Sequence, residues 1–309
     1  MEFRKVLANV LLKLMKEDNK IVVLDADLGS PNGLSPIEKA YPERFIQVGI
    51  AEANMAGICA GLSAYGYKPI MVTFSPFATR RVFDQIAVSI AYAKQQVKII
   101  GTDPGITAEL NGGTHMSFED VALMSSLPDM VIYDAVDDIQ FEQALVELIN
   151  HPGNVYIRVP RKSRPTVFDI NYKYHFGKAD IISEGTDVTI IATGVMVYEA
   201  LLAKELLLND GISAEVISAN LIKPLDEETI LNSIKKTKCA IVAENHNING
   251  GLYSKVASLL AKEYPAYVDA VAVYDQFGQV GKYQELLAAY HLTKDDIVLK
   301  AKSIIKKKQ

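Results

Sequence analysis

The sequence lacks the common signatures of a self-contained cofactor site. Its 309 residues include only two cysteines, Cys59 and Cys239, which lie far apart in apolar segments. That spacing suits neither a metal centre nor a disulfide framework, so we expect two buried thiols. The sequence contains no G-x-G-x-x-G motif, no P-loop and no G-x-S-x-G elbow. We therefore expect no dinucleotide site, ATP site or hydrolase triad formed by this chain alone.

A basic excess and long apolar runs are missing as well. The 32 lysines and arginines are outnumbered by 37 acidic residues, and the formal net charge of −5 argues against a nucleic-acid-binding surface. No apolar run approaches the ~20 residues that a membrane-spanning helix needs. The N-terminus alternates charged and apolar residues at helical spacing, unlike a signal peptide. We expect a cytoplasmic protein with no nucleic-acid or membrane partner.

Short apolar strands alternate with helical patterns along the chain. In the first half, strands are expected at 21–24, 45–48, 69–74, 97–101, 130–133 and 155–158. A segment rich in proline, charge and aromatic residues then interrupts the pattern, which restarts after it. The fold class is therefore α/β, with two doubly wound domains and mostly parallel sheets. We place the domains at 1–162 and 181–309, with a linker at 163–180.

Chemically capable side chains follow the predicted strands of the first domain. Because the carboxyl ends of parallel strands lie along one edge of a sheet, we expect these side chains to meet there. The set combines acids, aromatic rings, an imidazole and guanidinium groups: Asp27, Glu52, Phe74, Phe77, Arg80, Arg81, His115, Arg158 and Arg161.

Glu52 stands out because it directly precedes a helix of small apolar residues at 53–64. That helix is apolar on all sides and is expected to be buried. A carboxylate at such a position can simply complement the helix dipole. It can also be a functional acid, and the residues alone leave both interpretations open.

The order of motifs along the chain resembles the C-terminal half of transketolase. The matching segments are GIAEANMAGICAGLSAYGYKP, FSPFATRRVFDQ, GGTHMSFED, YIRVPRK, ENHNINGGL and FGQVGKYQELLAAYHLT. Together they span essentially the whole chain. The resemblance implies a pyrimidine-binding domain followed by the transketolase C-terminal domain, and an enzyme that uses thiamine diphosphate to transfer a two-carbon ketol unit.

The resemblance also implies a role for each candidate cofactor residue. Glu52 aligns with the glutamate that hydrogen-bonds the aminopyrimidine ring of thiamine diphosphate. Phe77 and Phe74 resemble the aromatic pair that packs against this ring, although ordinary core packing is the alternative for both. Asp27 and Arg81 fall near the cofactor in the family pattern.

Further residues align with the substrate site of the family. His115 corresponds to the substrate-site histidine, and Arg158 to an arginine that holds the sugar phosphate. Asn111 and Asp103 replace an aspartate and a histidine of ordinary transketolases, so the donor ketose can differ from the usual sugar phosphates. Ser30 lies in a loop near the substrate phosphate. A second-domain histidine, His246, is expected to have a structural or interface role.

The sequence contains no G-D-G motif of the kind that holds the diphosphate and Mg²⁺ in full transketolases. The resemblance therefore implies an N-terminal partner subunit that holds both, in an α2β2 heterotetramer with sites at the interface; no metal ligand is expected in this chain. Three alternatives remain. The chain can be half of a 1-deoxyxylulose-5-phosphate synthase, a 2-oxo acid dehydrogenase β subunit, or a non-catalytic scaffold.

Overall fold

The structure, a computed structural model, describes residues 1–308. The helices are α1 Phe3–Glu17, α2 Ser35–Ala40, α3 Glu52–Ala64, α4 Ser75–Ala78, α5 Phe83–Gln85, α6 Asp120–Ser125, α7 Asp138–Asn150, α8 Met196–Asn209, α9 Glu227–Thr237, α10 Leu252–Glu263, α11 Tyr283–Ala289 and α12 Lys294–Lys308. The strands are β1 Ile21–Asp25, β2 Phe45–Gln47, β3 Lys68–Phe74, β4 Lys98–Thr102, β5 Val131–Asp134, β6 Val155–Val159, β7 Asp180–Ser183, β8 Val188–Ala192, β9 Ala214–Ser218, β10 Leu221–Lys223, β11 Cys239–Asn247 and β12 Tyr267–Val273.

These strands form two sheets. The first has the order β10-β5-β6-β4-β3-β1-β2, and the second has the order β12-β11-β8-β9-β7. Every pairing is parallel except those of the edge strands β10 and β7. The predicted α/β class with mostly parallel sheets is confirmed. The predicted boundaries did not anticipate that β10, from the second half of the chain, joins the first sheet.

Alternation along the strands places helices on both faces of the first sheet. Ile21 and Val23 of β1 pack with α1 and α7, whereas Val22 and Leu24 pack with α3. Both cysteines are buried free thiols, as expected. None of the helices within residues 1–308 has the length and hydropathy required to cross a bilayer.

Helix α3 is not buried on all sides, which corrects the expectation from its composition. Its inner face, including Met55, Ala56 and Cys59, is fully buried. Its outer face exposes Gly57 and Gly61. Small side chains alone do not determine which faces of a helix are covered, because a partner outside the chain can cover one of them.

A single helix was predicted from about 79 to 93, but the chain breaks it into shorter turns. Helix α4 ends at Ala78, and the next residue, Thr79, has a φ of −128° and a ψ of −89°, which are not helical. The Thr79 hydroxyl donates to the Ser75 carbonyl at 2.7 Å, a back-bond that favours bending. A 3₁₀ turn, Arg80–Val82, and a π-helix, Ile86–Tyr92, follow. The kink presents Phe77 and Arg81 at the carboxyl edge of the sheet.

Candidate active site

Glu52 begins α3, immediately after the loop that leaves β2. Its side chain is only 3% exposed. The Glu52 carboxylate accepts a hydrogen bond from Nη1 of Arg81 at 2.7 Å, and no other hydrogen bond reaches this carboxylate within residues 1–308. Glu52 is therefore held by a helix N-terminus and by one arginine from another element.

Arg81 connects Glu52 to an aromatic ring. The guanidinium carbon of Arg81 lies 3.6 Å from the centroid of the Phe77 ring, a close cation–π contact. The Arg81 side chain remains 43% exposed. The planar guanidinium of Arg81 thus lies against the Phe77 ring and donates an N–H to Glu52. The position suits any flat, electron-poor ring with an N–H group.

His115 completes the aromatic cluster. Its ring centroid lies 5.2 Å from that of Phe77 and 5.9 Å from that of Phe74, and both pairs meet edge to face. The Thr114 hydroxyl lies 2.9 Å from Nδ1 of His115. Burial lowers the pKa of His115, and the charges of Arg81 and Arg80 lower it further, which favours a neutral imidazole.

The second domain supports the loop that carries His115. Gly113 packs so closely on Gly278 that a Cβ at Gly113 would collide with the carbonyl oxygen of Gly278. Gly113 therefore permits a close backbone approach that a larger residue would block. The segment FGQVGK, singled out from the sequence, thereby acts on the site through the backbone.

Asp103 and Asn111, the two departures from the family pattern, have different environments. Asp103 is buried, and its carboxylate binds the Arg161 backbone N–H at 2.8 Å and Nε at 2.5 Å. The Asp103 carboxylate does not itself face the open edge of the site, and it acts there only by binding Arg161. Asn111 is exposed at the end of a 3₁₀ turn.

Arg158 does not lie at the mouth of the site, which corrects the expectation of a phosphate contact. Its side chain is 1% exposed. The guanidinium binds Asp120 at 2.6 Å, Asp134 at 2.8 Å and the carbonyl of Asn245 at 2.9 Å. The alternation of β6 places this side chain in the interior between the domains. Its charge is fully engaged there, so it is not available to a substrate.

Asp27 and Ser30 lie in the loop after β1, on the same edge of the sheet, and both are exposed. Asp27 adopts a φ of 62°, and its backbone N–H donates to Gln47 at 2.8 Å. No hydrogen bond within residues 1–308 links either side chain to the aromatic cluster. The structure thus brings Glu52, Arg81 and the aromatic residues together and leaves this loop at the periphery.

Residues of the ENHNINGGL segment hold the two domains together. The Asn245 side chain accepts from Ile106 N–H and donates to the Pro104 carbonyl, each at 3.0 Å. Glu244 accepts from the first backbone N–H groups of α10. His246 is fully buried, which fits the structural role expected for it. The sequence signal was the motif itself, but only the structure shows that Arg158 binds both the Asn245 carbonyl and Asp120, with Nε2 of His246 4.0 Å from Asp120.

Comparisons with known proteins agree along the whole chain. Residues 1–166 match the family model of the transketolase pyrimidine-binding domain, and residues 177–297 match that of the transketolase C-terminal domain. A 6-deoxy-6-sulfo-D-fructose transketolase subunit, SqwH, from Clostridium sp. (strain MSTE9) is 45% identical over 99% of this chain and 95% of its own length. A solved structure described as a split gene transketolase, inactive beta4 tetramer, is 39% identical and superposes with a TM-score of 0.93 over 100% of both chains.

A longer relative aligns with this chain over part of its length. The 1-deoxy-D-xylulose-5-phosphate synthase of Pelotomaculum thermopropionicum (strain DSM 13744 / JCM 10971 / SI) is 32% identical over 96% of this chain, which spans 47% of the synthase. The two domain matches and the relatives of similar length agree on one family. The chain belongs to the transketolase family, of which it carries the pyrimidine-binding and C-terminal domains.

Proposed function

We propose that this chain is the C-terminal subunit of a thiamine-diphosphate-dependent transketolase. It would transfer a two-carbon ketol unit from a ketose with an anionic terminal group to an aldose acceptor. The observation that carries the proposal is the arrangement of Glu52, Arg81, Phe77 and His115 on one edge of the first sheet. Family membership supplies the reaction class.

The residues fit the aminopyrimidine half of the cofactor. Glu52 would hold the ring through a hydrogen bond to its buried carboxylate, and Phe77 and Phe74 would form the wall beside it. Thiamine diphosphate, when bound, supplies the nucleophilic carbon that takes up the two-carbon unit. Glu52 would exchange a proton with the ring.

Arg81 would have to leave the position that it holds in the isolated chain. Its guanidinium lies where a ring would contact both Glu52 and Phe77. An ion pair with a side chain this exposed contributes at most about 1 kcal/mol and the cation–π contact about 0.5–1 kcal/mol, so an incoming ring can displace both. Arg81 would then be free to turn toward solvent or a second subunit.

His115 would act on the substrate. As a neutral imidazole it can both donate and accept a hydrogen bond, which suits the hydroxyl groups next to a ketose carbonyl. Asn111 is exposed beside the same loop and can bind a hydroxyl through its amide. Asp27 and Ser30 remain candidates for peripheral contacts.

The diphosphate and Mg²⁺ would be held by an N-terminal partner subunit. The outer face of α3 supports this, because it begins at Glu52 and carries two glycines in the middle of a helix. A Cβ at Gly57 or Gly61 would meet no atom within 4 Å in this chain. A glycine inside a helix costs about 1 kcal/mol relative to alanine. No contact within the described residues explains why either position is a glycine. Close approach of another subunit supplies an explanation.

Exposed apolar side chains extend this face. Ile50 is 77% exposed, Val88 55% and Tyr92 86%. Apolar exposure of this extent next to a catalytic carboxylate is typical of an interface. SqwH is described as a subunit and is of similar length, and the split-gene relative is described as inactive when it consists of β chains alone. Both descriptions support a two-subunit enzyme, for which we propose the α2β2 form.

The test is a comparison of two helix-terminal glutamates in the reconstituted pair of subunits. Glu52→Gln should lower kcat at least 100-fold, whereas Glu38→Gln, in the first turn of α2 and exposed, should leave kcat unchanged. Both variants lose one charge at a helix N-terminus. If the two variants change kcat by the same factor, Glu52 does no more than complement the helix dipole, and a scaffold role for the chain is favoured.

The synthase relative makes a second reaction testable in the same assay. A synthase half, like a 2-oxo acid dehydrogenase subunit, would release CO₂ from a 2-oxo acid such as pyruvate. Ketol transfer from a ketose releases none. CO₂ release without ketol transfer would replace the proposed reaction with one of these.

A further inference from the structure

A cavity of about 310 Å³ lies at the amino edge of the first sheet, opposite the edge that carries the candidate active site. Strand β3 joins the two edges, because it begins at Lys68, which lines the cavity, and ends at Phe74 of the aromatic cluster. Its seven residues, at roughly 3.3 Å each, put about 20 Å between them. A ligand in this cavity would not touch the residues around Glu52.

Four lysines line this cavity, and no aspartate or glutamate lines it among the described residues. Lys20 directly precedes β1, Lys68 and Lys98 are the first residues of β3 and β4, and Lys94 lies in the turn before β4. Within residues 1–308 the one carboxylate paired with any of the four is that of Asp18, 2.7 Å from Nζ of Lys68. Four lysines and one acid leave a local charge of +3, in a chain whose net charge is −5.

Lys98 is the buried member of this set. It is only 6% exposed, and its ammonium group donates to the carbonyl groups of His151 and Gly153, each at 2.6 Å. Both carbonyl groups follow the end of α7, so Lys98 also caps that helix. These bonds use two of the three N–H donors of the ammonium group. Buried charges are normally paired, yet no carboxylate of the described residues forms an ion pair with Lys98.

The ionisable groups that line the cavity show the same surplus of positive charge. Burial, together with the charge of Lys68, lowers the pKa of Lys98 to about 8. Burial also lowers the pKa of His151, and the charge of Lys98 lowers it further. An anion placed among these groups would favour their protonated forms, and they in turn would favour its binding.

The size of the cavity suits a small organic anion. Its volume corresponds to about ten water molecules at ~30 Å³ each, and therefore to a molecule of about ten non-hydrogen atoms. Besides the lysines, the lining offers neutral hydrogen-bonding groups. The Ser63 hydroxyl accepts from the Gln96 N–H at 2.8 Å and keeps its own O–H to donate. The side-chain amides of Gln95, Gln96 and Asn150 also line the cavity and can bind hydroxyl groups.

We propose that this cavity is a second binding site of the chain, which takes a phosphate monoester of a small polyol. The phosphate binds among the lysines, and the hydroxyl groups bind Ser63 and the amides. A phosphate monoester carries a charge of about −1.5 to −2 at pH 7, which balances the local charge of +3 better than a single carboxylate does. Occupancy of the cavity does not depend on the proposed ketol transfer.

The test is calorimetric titration of the full chain with glycerol 3-phosphate, inorganic phosphate and glycerol. Glycerol 3-phosphate should bind at least about fivefold more tightly than inorganic phosphate, because only the ester also reaches the neutral groups. Glycerol, which has no charge, should not bind. Lys98→Met should weaken the binding of glycerol 3-phosphate at least about tenfold, as expected for the loss of a buried charged donor.

A pair of double variants separates this cavity from the overall charge of the chain. Lys20→Gln/Lys94→Gln removes two exposed charges of the lining and should weaken binding at least about threefold. Lys306→Gln/Lys307→Gln removes two exposed charges of α12 and should bind like wild type. If Lys98→Met does not fold, the comparison of these two variants still decides.

Three results would overturn the proposal. A Kd for glycerol 3-phosphate weaker than about 10 mM would mean that the cavity is no site for such an ester. Binding that is unchanged in Lys98→Met and in Lys20→Gln/Lys94→Gln, or weakened equally by the two double variants, would place the anion elsewhere or make it a response to net charge. Equal affinities for inorganic phosphate and the ester would mean that an adventitious ion only is bound.

Discussion

Replacing Gly57 and Gly61 with alanine should stabilise the isolated chain and weaken its assembly. Both glycines lie inside α3, and a Cβ at either position would meet no atom within 4 Å. Each replacement removes the helical cost of glycine, about 0.8–1 kcal/mol, without a steric penalty. The double variant should therefore raise the free energy of unfolding of the lone chain by about 2 kcal/mol.

The same two methyl groups would intrude into an interface that approaches the helix closely. Overpacking typically costs about 1–3 kcal/mol, which corresponds to a roughly 5- to 150-fold weaker association of the two subunits. Urea unfolding of the lone chain measures the first effect. Titration of the N-terminal subunit, followed by ketol transfer and sedimentation velocity, measures the second. Ser303→Ala, at an exposed position of α12, is the control for a general gain in helix stability.

Two results would refute this reasoning. A lone chain destabilised by the alanines would mean that the glycines are needed within the chain itself. A stabilised chain that assembles and turns over like wild type would mean that no subunit approaches the outer face of α3.

Arg81 and the buried second-domain pair give two further predictions. Arg81→Ala should raise the affinity of the assembled pair for thiamine diphosphate up to about 30-fold, because it removes an ion pair worth at most ~1 kcal/mol and a cation–π contact worth about 0.5–1 kcal/mol. Weaker binding by calorimetry would instead make Arg81 a cofactor ligand. Burial lowers the pKa of His246 to about 4 and raises that of Glu244 to about 7. Between about pH 6.5 and 4.5 the unfolded chain protonates His246 while the folded chain does not, so the contribution of His246 to the free energy of unfolding falls on acidification. Over the same window the folded chain keeps the Glu244 proton that the unfolded chain releases, so the contribution of Glu244 rises on acidification. His246→Gln should therefore gain up to about 3 kcal/mol relative to wild type as the pH falls through this window, and Glu244→Gln should lose a similar amount; parallel urea-unfolding profiles would contradict the assignment.

The candidate site could be predicted largely from strand ends. Glu52, Phe74, Phe77 and His115 each follow a strand or loop whose position the alternation of apolar residues indicates, and parallel strands end along one edge. The sequence therefore allowed us to predict which of these side chains lie close together. The sequence could not reveal that Arg81 bridges Glu52 and Phe77, because that depends on the kink at Thr79.

Arg158 shows where the reasoning from strand ends stops. The motif YIRVPRK contains two arginines near one strand end: Arg158 lies within β6, whereas Arg161 lies in the loop after this strand ends at Val159. Arg158 points into the domain interface and pairs with Asp120 and Asp134, whereas Arg161 reaches the rim. Composition could not indicate which face of the strand the second domain covers. The exposed face of α3 was missed for a similar reason.

The most direct test of the account is thiamine diphosphate binding and ketol transfer by this chain alone, by its N-terminal partner alone and by the two mixed. The account predicts that the mixture binds the cofactor and transfers the ketol unit, and that neither subunit does so alone. It also predicts that Glu52→Gln in the mixture abolishes transfer while the tetramer still forms. Turnover by this chain alone, or full activity of the Glu52→Gln mixture, would contradict it.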